Sequence, residues 1–442
     1  MATHTHTRSG AAVSIVALLA ALVAATAQNG TTHTDRLGSE LDSDEIGLMG
    51  FAGHVPDSKK PKLTAYFEQE SYRPGDRAQL VVTDTAAQVG VQILRAGGEP
   101  EPTVPNDVML GTPVTKIVPV GAVHGQRTLS ISIANWPSGV YFAQLTAPGS
   151  RVGYAPFILA PRHLGEHRVA VVMPTETWQA YNFRDDNGDG QPDTWYAGWK
   201  KLQARLVRPF LDRGVPPHWK QYDAPFVRWL AQTHRNVDYL SDRELRNVRS
   251  GKTLANAYSL IVFSGHHEYV TMHEYDVVTQ YRDLGGNLAF LAANNFFWKI
   301  TIKNNVMTRV AQWRDLGRPE AALIGVQYRA NDRGGHRGAW ILRSGAAATP
   351  WLFAGLNLEP GQGISSGGIE IDSTSSASPK GIHILAEIPN LYGPGFTAQM
   401  TYYETPAGAK VFAAGAFSLA GNVWEPEVTT LMTNLWTRLS TP

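Results

Sequence analysis

The chain has 442 residues, 43% hydrophobic and 17% charged, with a formal net charge of +1. Such a composition is globular and excludes wholesale disorder, and the balanced charge excludes an electrostatic nucleic-acid binder. There is no cysteine, so disulfides, thiolate nucleophiles and zinc–cysteine sites are excluded as well.

Taken in chain order, Arg8, the apolar stretch Ala11 to Ala25 and Ala25-Thr26-Ala27 read as an export signal over 1–27, removed before Gln28. The stretch is shorter than the roughly 20 residues of a membrane span, so the mature chain is expected to be secreted or extracytoplasmic, without a span; an uncleaved anchor is the alternative. Residues 28–60 are polar and acidic and read as a linker. From 61 to 160, short alternating runs such as Leu129-Ser-Ile-Ser-Ile133 are separated by Pro and Gly turns. That pattern predicts an immunoglobulin-like β-sandwich.

After Pro161 the pattern changes. Arg168–Met173, Ser259–Phe263 and Asn287–Ala292 are continuous apolar runs, as in strands buried on both faces. Helical segments are expected at 226–233, 271–283 and 428–439. Further strands are expected at Val237–Leu240, Ala322–Val326, His383–Ala386, Met400–Tyr403 and Val411–Ala416. Strands alternating with helices predict an α/β domain over 161–442 with a largely parallel sheet, of the flavodoxin-like kind.

Two segments carry chemistry. In Asp185-Asp-Asn-Gly-Asp-Gly-Gln-Pro-Asp193, Asp185, Asn187, Asp189, Gln191 and Asp193 stand at the oxygen-donor positions of a calcium loop, and Gly190 sits at the sharp turn. Position 12, where a full EF-hand has Glu, is Tyr196. The expectation is a structural calcium site; a solvated Asx turn is the alternative. The second segment, Ser264-Gly-His-His-Glu-Tyr269, directly follows an apolar strand. Ligands bind beyond the carboxyl ends of strands in open parallel sheets. His266, His267 and Glu268 are therefore the catalytic candidates, with either His as general base near neutral pH. Trp178, Tyr181, Asn182, Asn294 and Trp298, at neighbouring strand tips, are candidate pocket residues. Plain hydrogen bonding of the loop and core packing of the aromatics are the alternatives.

The motifs Thr177-Trp-Gln-Ala-Tyr-Asn182, Gly265-His-His-Glu-Tyr269 and Asn294-Asn-Phe-Phe-Trp298, in that order, resemble the C-terminal domain of the N,N-dimethylformamidase large (beta) subunit. His267 replaces the Pro or Asp usual in that family. The resemblance implies a glutamine-amidotransferase-like α/β fold without its cysteine, and a mononuclear iron held by two tyrosinates and a carboxylate. Tyr269 matches the family's motif tyrosine. Tyr239 and Tyr181 are the candidates for the second tyrosinate, and Asp332 stands near the place of a family Glu. The implied activity is hydrolysis of a C–N bond in a small-molecule amide, with a second copy of the chain or a small subunit as partner. The competing reading is an exported binding or surface protein whose α/β domain has lost its chemistry. Metal content discriminates the two.

Overall fold

The computed structural model describes residues 62–103, 105–196, 202–332 and 334–441. The expected export signal (1–27) and linker (28–60) lie outside the described residues. All the described residues fall within one unit, Ser43–Pro442.

The N-terminal half is built from β1 (Ala65–Phe67), β2 (Ser71–Tyr72), β3 (Arg77–Arg95), β4 (Thr112–Pro113), β5 (Val118–Ser132), β6 (Gly139–Ala147) and β7 (Arg151–Leu159). The long β3 pairs antiparallel with β1, β4, β5 and β6, so the strands join one seven-stranded network rather than two separately ordered sheets. Alternation along the strands sends Leu80, Val82, Ile93, Tyr141, Ala143 and Phe157 into one core.

The C-terminal half begins with β8 (Val169–Met173), helix α1 (Thr175–Ala180) and β9 (Gln203–Arg205). A π-helical turn, Trp219–Asp223, leads into α2 (Ala224–Gln232). Then come β10 (Asp238–Ser241), α3 (Asp242–Asn247), α4 (Gly251–Ala257), β11 (Leu260–Phe263), β12 (Tyr269–Thr271), α5 (Met272–Asp283) and β13 (Asn287–Phe290). The chain continues through β14 (Trp298–Lys303), β15 (Val306–Gln312), α6 (Ala321–Ile324), β16 (Gln327–Asn331), β17 (Arg337–Leu342) and β18 (Gly363–Ser373). It ends with β19 (His383–Ile388), β20 (Ala398–Glu404), β21 (Lys410–Ala413), β22 (Ala416–Phe417) and α7 (Pro426–Ser440).

The large sheet has 11 strands in the order β10-β8-β11-β13-β21-β20-β19-β17-β18-β16, with β22 paired to β18. Its first five strands are parallel. From β21 onward every pair is antiparallel. This corrects the expectation of a largely parallel, flavodoxin-like α/β sheet: the sheet is mixed and strand-rich. The reason lies in the connections. Helices cross over between β8 and β13, as parallel neighbours require, whereas β20 returns to β21 through the short turn Thr405–Ala409, which only an antiparallel pair permits. The expected strand Ala322–Val326 is instead α6, ended by Gly325 in the left-handed conformation (φ 100°).

In the parallel half, Val171, Met173, Val262 and Ala289 point to one core and Ala170, Val172, Ile261, Phe263 and Leu288 to another. Both faces are buried, which is why these strands read as unbroken apolar runs. α5 starts at a capping box, Thr271 with Glu274, and covers the second face with Val277, Val278 and Tyr281. The first core continues without a break into the N-terminal half, through Phe142, Tyr154 and Ile158. Among the described residues, no helix is long and apolar enough to cross a membrane.

Candidate functional site

A small third sheet, β12-β14-β15-β9, sits where the chain leaves the carboxyl ends of β8 and β11. The segment after β8 carries α1, whose six residues are all buried, then Tyr181. The segment after β11 carries His266, His267 and Glu268 before pairing as β12. Thr177 Oγ1 accepts a hydrogen bond from the Glu268 backbone N–H (3.1 Å) and pins the two segments together.

On this frame, two phenols converge on one carboxylate oxygen. Tyr181 Oη donates to Glu268 Oε2 at 2.6 Å and Tyr196 Oη donates to the same atom at 3.1 Å. Their rings lie 4.6 Å apart. His266 Nε2 stands 3.5 Å from Glu268 Oε2 and 3.5 Å from Glu370 Oε2. Glu370 comes from β18, where Ile369 has φ 70° beside an irregular register with β22. Burial, and then the neighbouring His267, pull the His266 pKa down to about 3, so its ring is neutral near pH 7. The entrance beside it is aromatic. Phe417 packs on His266 at 4.8 Å, Tyr222 on Phe417 at 5.0 Å and His218 on Tyr222 at 5.0 Å.

The structure brings Tyr181, His266 and Glu268 together, sets the Tyr269 ring beside Tyr181 and Tyr196 (6.3 and 6.5 Å between ring centres) and Trp178 beside His266, and places the other candidates elsewhere. Tyr269 Oη accepts from Trp195 Nε1 (3.3 Å) and packs on that indole. Tyr239 lies in the core shared with the N-terminal half, with Arg95 and Glu99 as its charged neighbours; burial raises its pKa. Asp332 holds a turn at the rim, bonding His336 Nδ1 (2.7 Å) and Gly334 N–H (3.0 Å). His267 turns away from Glu268, its Nδ1 3.7 Å from Asp242 Oδ1. Asn182 is a bracket: its amide donates to Gln179 Oε1 and the Pro209 carbonyl and accepts from Leu211 N–H. Asn294 adopts φ 53°, held by both Asp372 oxygens on its N–H. Trp298 packs under Arg309 (4.5 Å). Trp178 lines the pocket beside His266.

Sequence reasoning missed Tyr196 and Glu370. Tyr196 was visible as the residue that breaks the calcium pattern. Glu370 and Asp372 were visible as acids two apart in the run Gly367-Gly-Ile-Glu-Ile-Asp372, both on one face of a strand.

The Asp-rich loop folds around its own backbone. Asp185 accepts from Gly188 and Gly190 N–H (2.7 and 2.8 Å), Asn187 from Asp189, Asp189 from Gln191, and Asp193 from Asp186. The backbone hydrogen bond from Gly190, first among several, lowers the Asp185 pKa. Arg208, almost fully buried, binds this excursion from below. It donates to the carbonyls of Gln179, Asn182 and Arg184 and to Asp186 Oδ2. Among the described residues, no group of three or more His, Cys, Asp or Glu gathers as a metal cluster.

Beneath the site lies a second buried cluster. Arg246 pairs with Glu70 (2.5 Å) and Glu176. Thr175 Oγ1 donates its one proton to Glu70 (2.6 Å) and lies 3.1 Å from Asp242 Oδ2. Glu274 accepts from Thr271 N–H and Oγ1 (2.6 and 2.7 Å). Burial, then Asp242, push Glu274 up to about 8. Burial, then Glu274, push Glu176 well above the carboxylate range.

The model of a known family, N,N-dimethylformamidase beta subunit-like, C-terminal, matches residues 124–424. The chain belongs to that family. Within this dimethylformamidase-like family frame, the matched residues include every side chain of the Tyr181–Tyr196–Glu268–His266–Glu370 group. No curated protein matches. Among solved structures, an uncharacterized protein from Bacillus anthracis str. Ames is 15% identical, with 23% of this chain and 87% of that chain covered and a TM-score of 0.17. A superoxide reductase (neelaredoxin) from Ignicoccus hospitalis is 15% identical, with 25% and 89% covered and a TM-score of 0.16. The sporulation control protein Spo0M from Bacillus subtilis is 13% identical, with 22% and 48% covered and a TM-score of 0.15. Scores this low carry no inference about fold or function.

Proposed function

We propose that this dimethylformamidase-like protein hydrolyses the C–N bond of a small amide with an iron held by Tyr181, Tyr196 and Glu268. The observation that carries the reading is the meeting of two phenols on one buried carboxylate oxygen, at 2.6 and 3.1 Å. Two phenol oxygens and a carboxylate are the donor set that the family resemblance implies, and anionic oxygen donors suit a hard ferric ion. Such an ion, when bound, acidifies water and polarises a carbonyl.

The rest is work for the chain's own groups. His266, neutral near pH 7, offers its ring nitrogen as a hydrogen-bond acceptor that orients the attacking water. Glu370, 3.5 Å from that ring, takes the water's proton and returns it toward the leaving nitrogen. Thr177 and the α1 backbone fix Glu268. The rings of Phe417, Tyr222 and His218 narrow the entrance and keep bulk water from the carboxylates. Burial strengthens each of these charge interactions.

Export is part of the same proposal, supported by the order of Arg8, the apolar stretch and Ala25-Thr26-Ala27. A structural calcium in the Asp185–Asp193 loop is supported by its spacing. Self-association, or a small subunit, rests on the family resemblance alone.

The test is metal analysis of purified protein together with the visible spectrum and amide turnover. The expected result is iron with a tyrosinate charge-transfer band, lost together with turnover in Tyr181→Phe, Tyr196→Phe and Glu268→Gln while the fold persists. Iron-free, colourless, folded wild type after growth in iron would overturn the reading and favour the non-catalytic binding protein.

A further inference from the structure

The Asp-rich loop carries a side-chain amide among its acids. Asn187 is followed by Gly188, and both residues are exposed. Gly188 stands at φ 74°, and a Cβ built there would meet nothing within 4 Å. The Gly188 nitrogen thus has no side chain of its own crowding it, and along the chain it is next to Asn187 Cγ. Attack of that nitrogen on that carbon closes a small cyclic imide, a reaction in which the two partners are held together in advance.

Three hydrogen bonds surround the amide. Gly188 N–H donates to Asp185 Oδ1 at 2.7 Å, so the proton that the attacking nitrogen must lose faces a carboxylate. Gly190 N–H donates to Asp185 Oδ2 at 2.8 Å. That bond, first among several causes, lowers the Asp185 pKa, and the carboxylate is ionised at neutral pH. Asp189 N–H donates to Asn187 Oδ1 at 2.8 Å. Negative charge develops on this oxygen when the carbonyl is attacked, and a fixed backbone donor stabilises it. The leaving nitrogen, Asn187 Nδ2, donates to Asp193 Oδ1 at 3.2 Å. A base on the nucleophile and a donor on the carbonyl oxygen are the two aids that amide chemistry needs.

We propose that Asn187 is a self-modification site, at which the loop converts its own asparagine to aspartate or isoaspartate. The Gly188 N–Cγ bond forms and the Cγ–Nδ2 bond breaks. Asp185 takes the Gly188 proton and passes it to water, and the exposed leaving nitrogen takes a proton from water and departs as ammonia. Water then adds to either carbonyl of the imide and opens the ring. Each product brings one more negative charge to the loop. Aspartate at this position also replaces the donor on Asp193 by a carboxylate, so that two like charges meet across the loop.

The experiment holds the full chain at pH 8 and 37 °C with chelator, so that no cation occupies Asp185, either folded or in guanidinium chloride. Peptide mass mapping over days reads conversion at residue 187 as a gain of one mass unit, and an isoaspartate assay identifies the product. The denatured chain keeps the Asn-Gly pair and loses the loop. The folded chain should convert about tenfold faster or more, an advantage that a positioned base alone can supply. Folded Asp185→Ala should lose that advantage. Conversion in the folded wild type no faster than in denaturant overturns the proposal, and this comparison needs no variant to fold. An undiminished rate in folded Asp185→Ala overturns it too.

Discussion

Replacing Glu274 by Gln should flatten the dependence of stability on pH. Glu274 is fully buried, and its pKa is raised from 4.5 to about 8 by burial and Asp242. A carboxyl whose folded pKa is raised holds its proton in the fold. That contribution is fully present below the unfolded pKa and is lost as pH rises through the folded pKa. Wild-type stability should therefore fall between pH 4.5 and 8. Each pKa unit is worth about 1.4 kcal/mol, so the gap gives a loss on the order of 5 kcal/mol at most. The amide of Glu274→Gln cannot ionise, and its carbonyl oxygen can still accept from Thr271 N–H and Oγ1. The variant should equal wild type near pH 5 and exceed it by about 2 to 5 kcal/mol near pH 9. Urea denaturation at intervals from pH 5 to 9 measures this. Parallel stability curves for the two proteins would refute the argument.

With iron on the proposed ligands, Tyr269→Phe should leave iron content and turnover intact and lower stability by about 1 kcal/mol, because the phenol receives a hydrogen bond from Trp195; metal analysis and denaturation check both. Arg208→Met should cost about 3 to 5 kcal/mol, since it removes a buried guanidinium's donors from Asp186 Oδ2 and the carbonyls of Gln179, Asn182 and Arg184. Thermal or chemical unfolding reads that loss, and a cost below about 1 kcal/mol would count against the bracket. Millimolar calcium should raise the melting temperature over chelator, about 2.7 kcal/mol of stabilisation at a hundredfold excess over Kd. An unchanged melting temperature would remove calcium from the Asp185–Asp193 loop.

The parallel strands were legible because β8, β11 and β13 bury both faces and so spell unbroken apolar runs. α5 was legible from its periodic segment after the strand tip. The antiparallel half was not. A buried strand such as Met400–Tyr403 has the same composition in either direction, and direction is set by the length of the connection, which a list of runs does not weigh. Ala322–Val326 shows the other ambiguity, since so short an apolar run suits a helix turn as well as a strand. At the candidate site, the proximity of His266 and Glu268 was legible because they are local to one strand end. Tyr196 and Glu370 reach Glu268 and His266 only through the excursion anchored by Arg208 and the irregular strand β18. Residue type alone does not rank Tyr181, Tyr239 and Tyr269 as ligands, because all three are buried tyrosines near strand ends.

The family match begins at residue 124, and that position lies inside β5. Thirteen residues of β3 register against β5 from Arg77 to Val91, and Glu70, ahead of both, is the carboxylate that Arg246 and Thr175 bind beneath the site. A recombinant fragment trimmed to the matched residues would cut a hydrogen-bonded ladder in mid-strand. It would also strip Glu70 from Arg246, leaving that guanidinium with Glu176 alone. Homology bounds are thus a poor guide to cloning bounds in this protein. Domain swaps between relatives should be cut upstream of β1, so that the C-terminal part travels with the sheet that props up its floor.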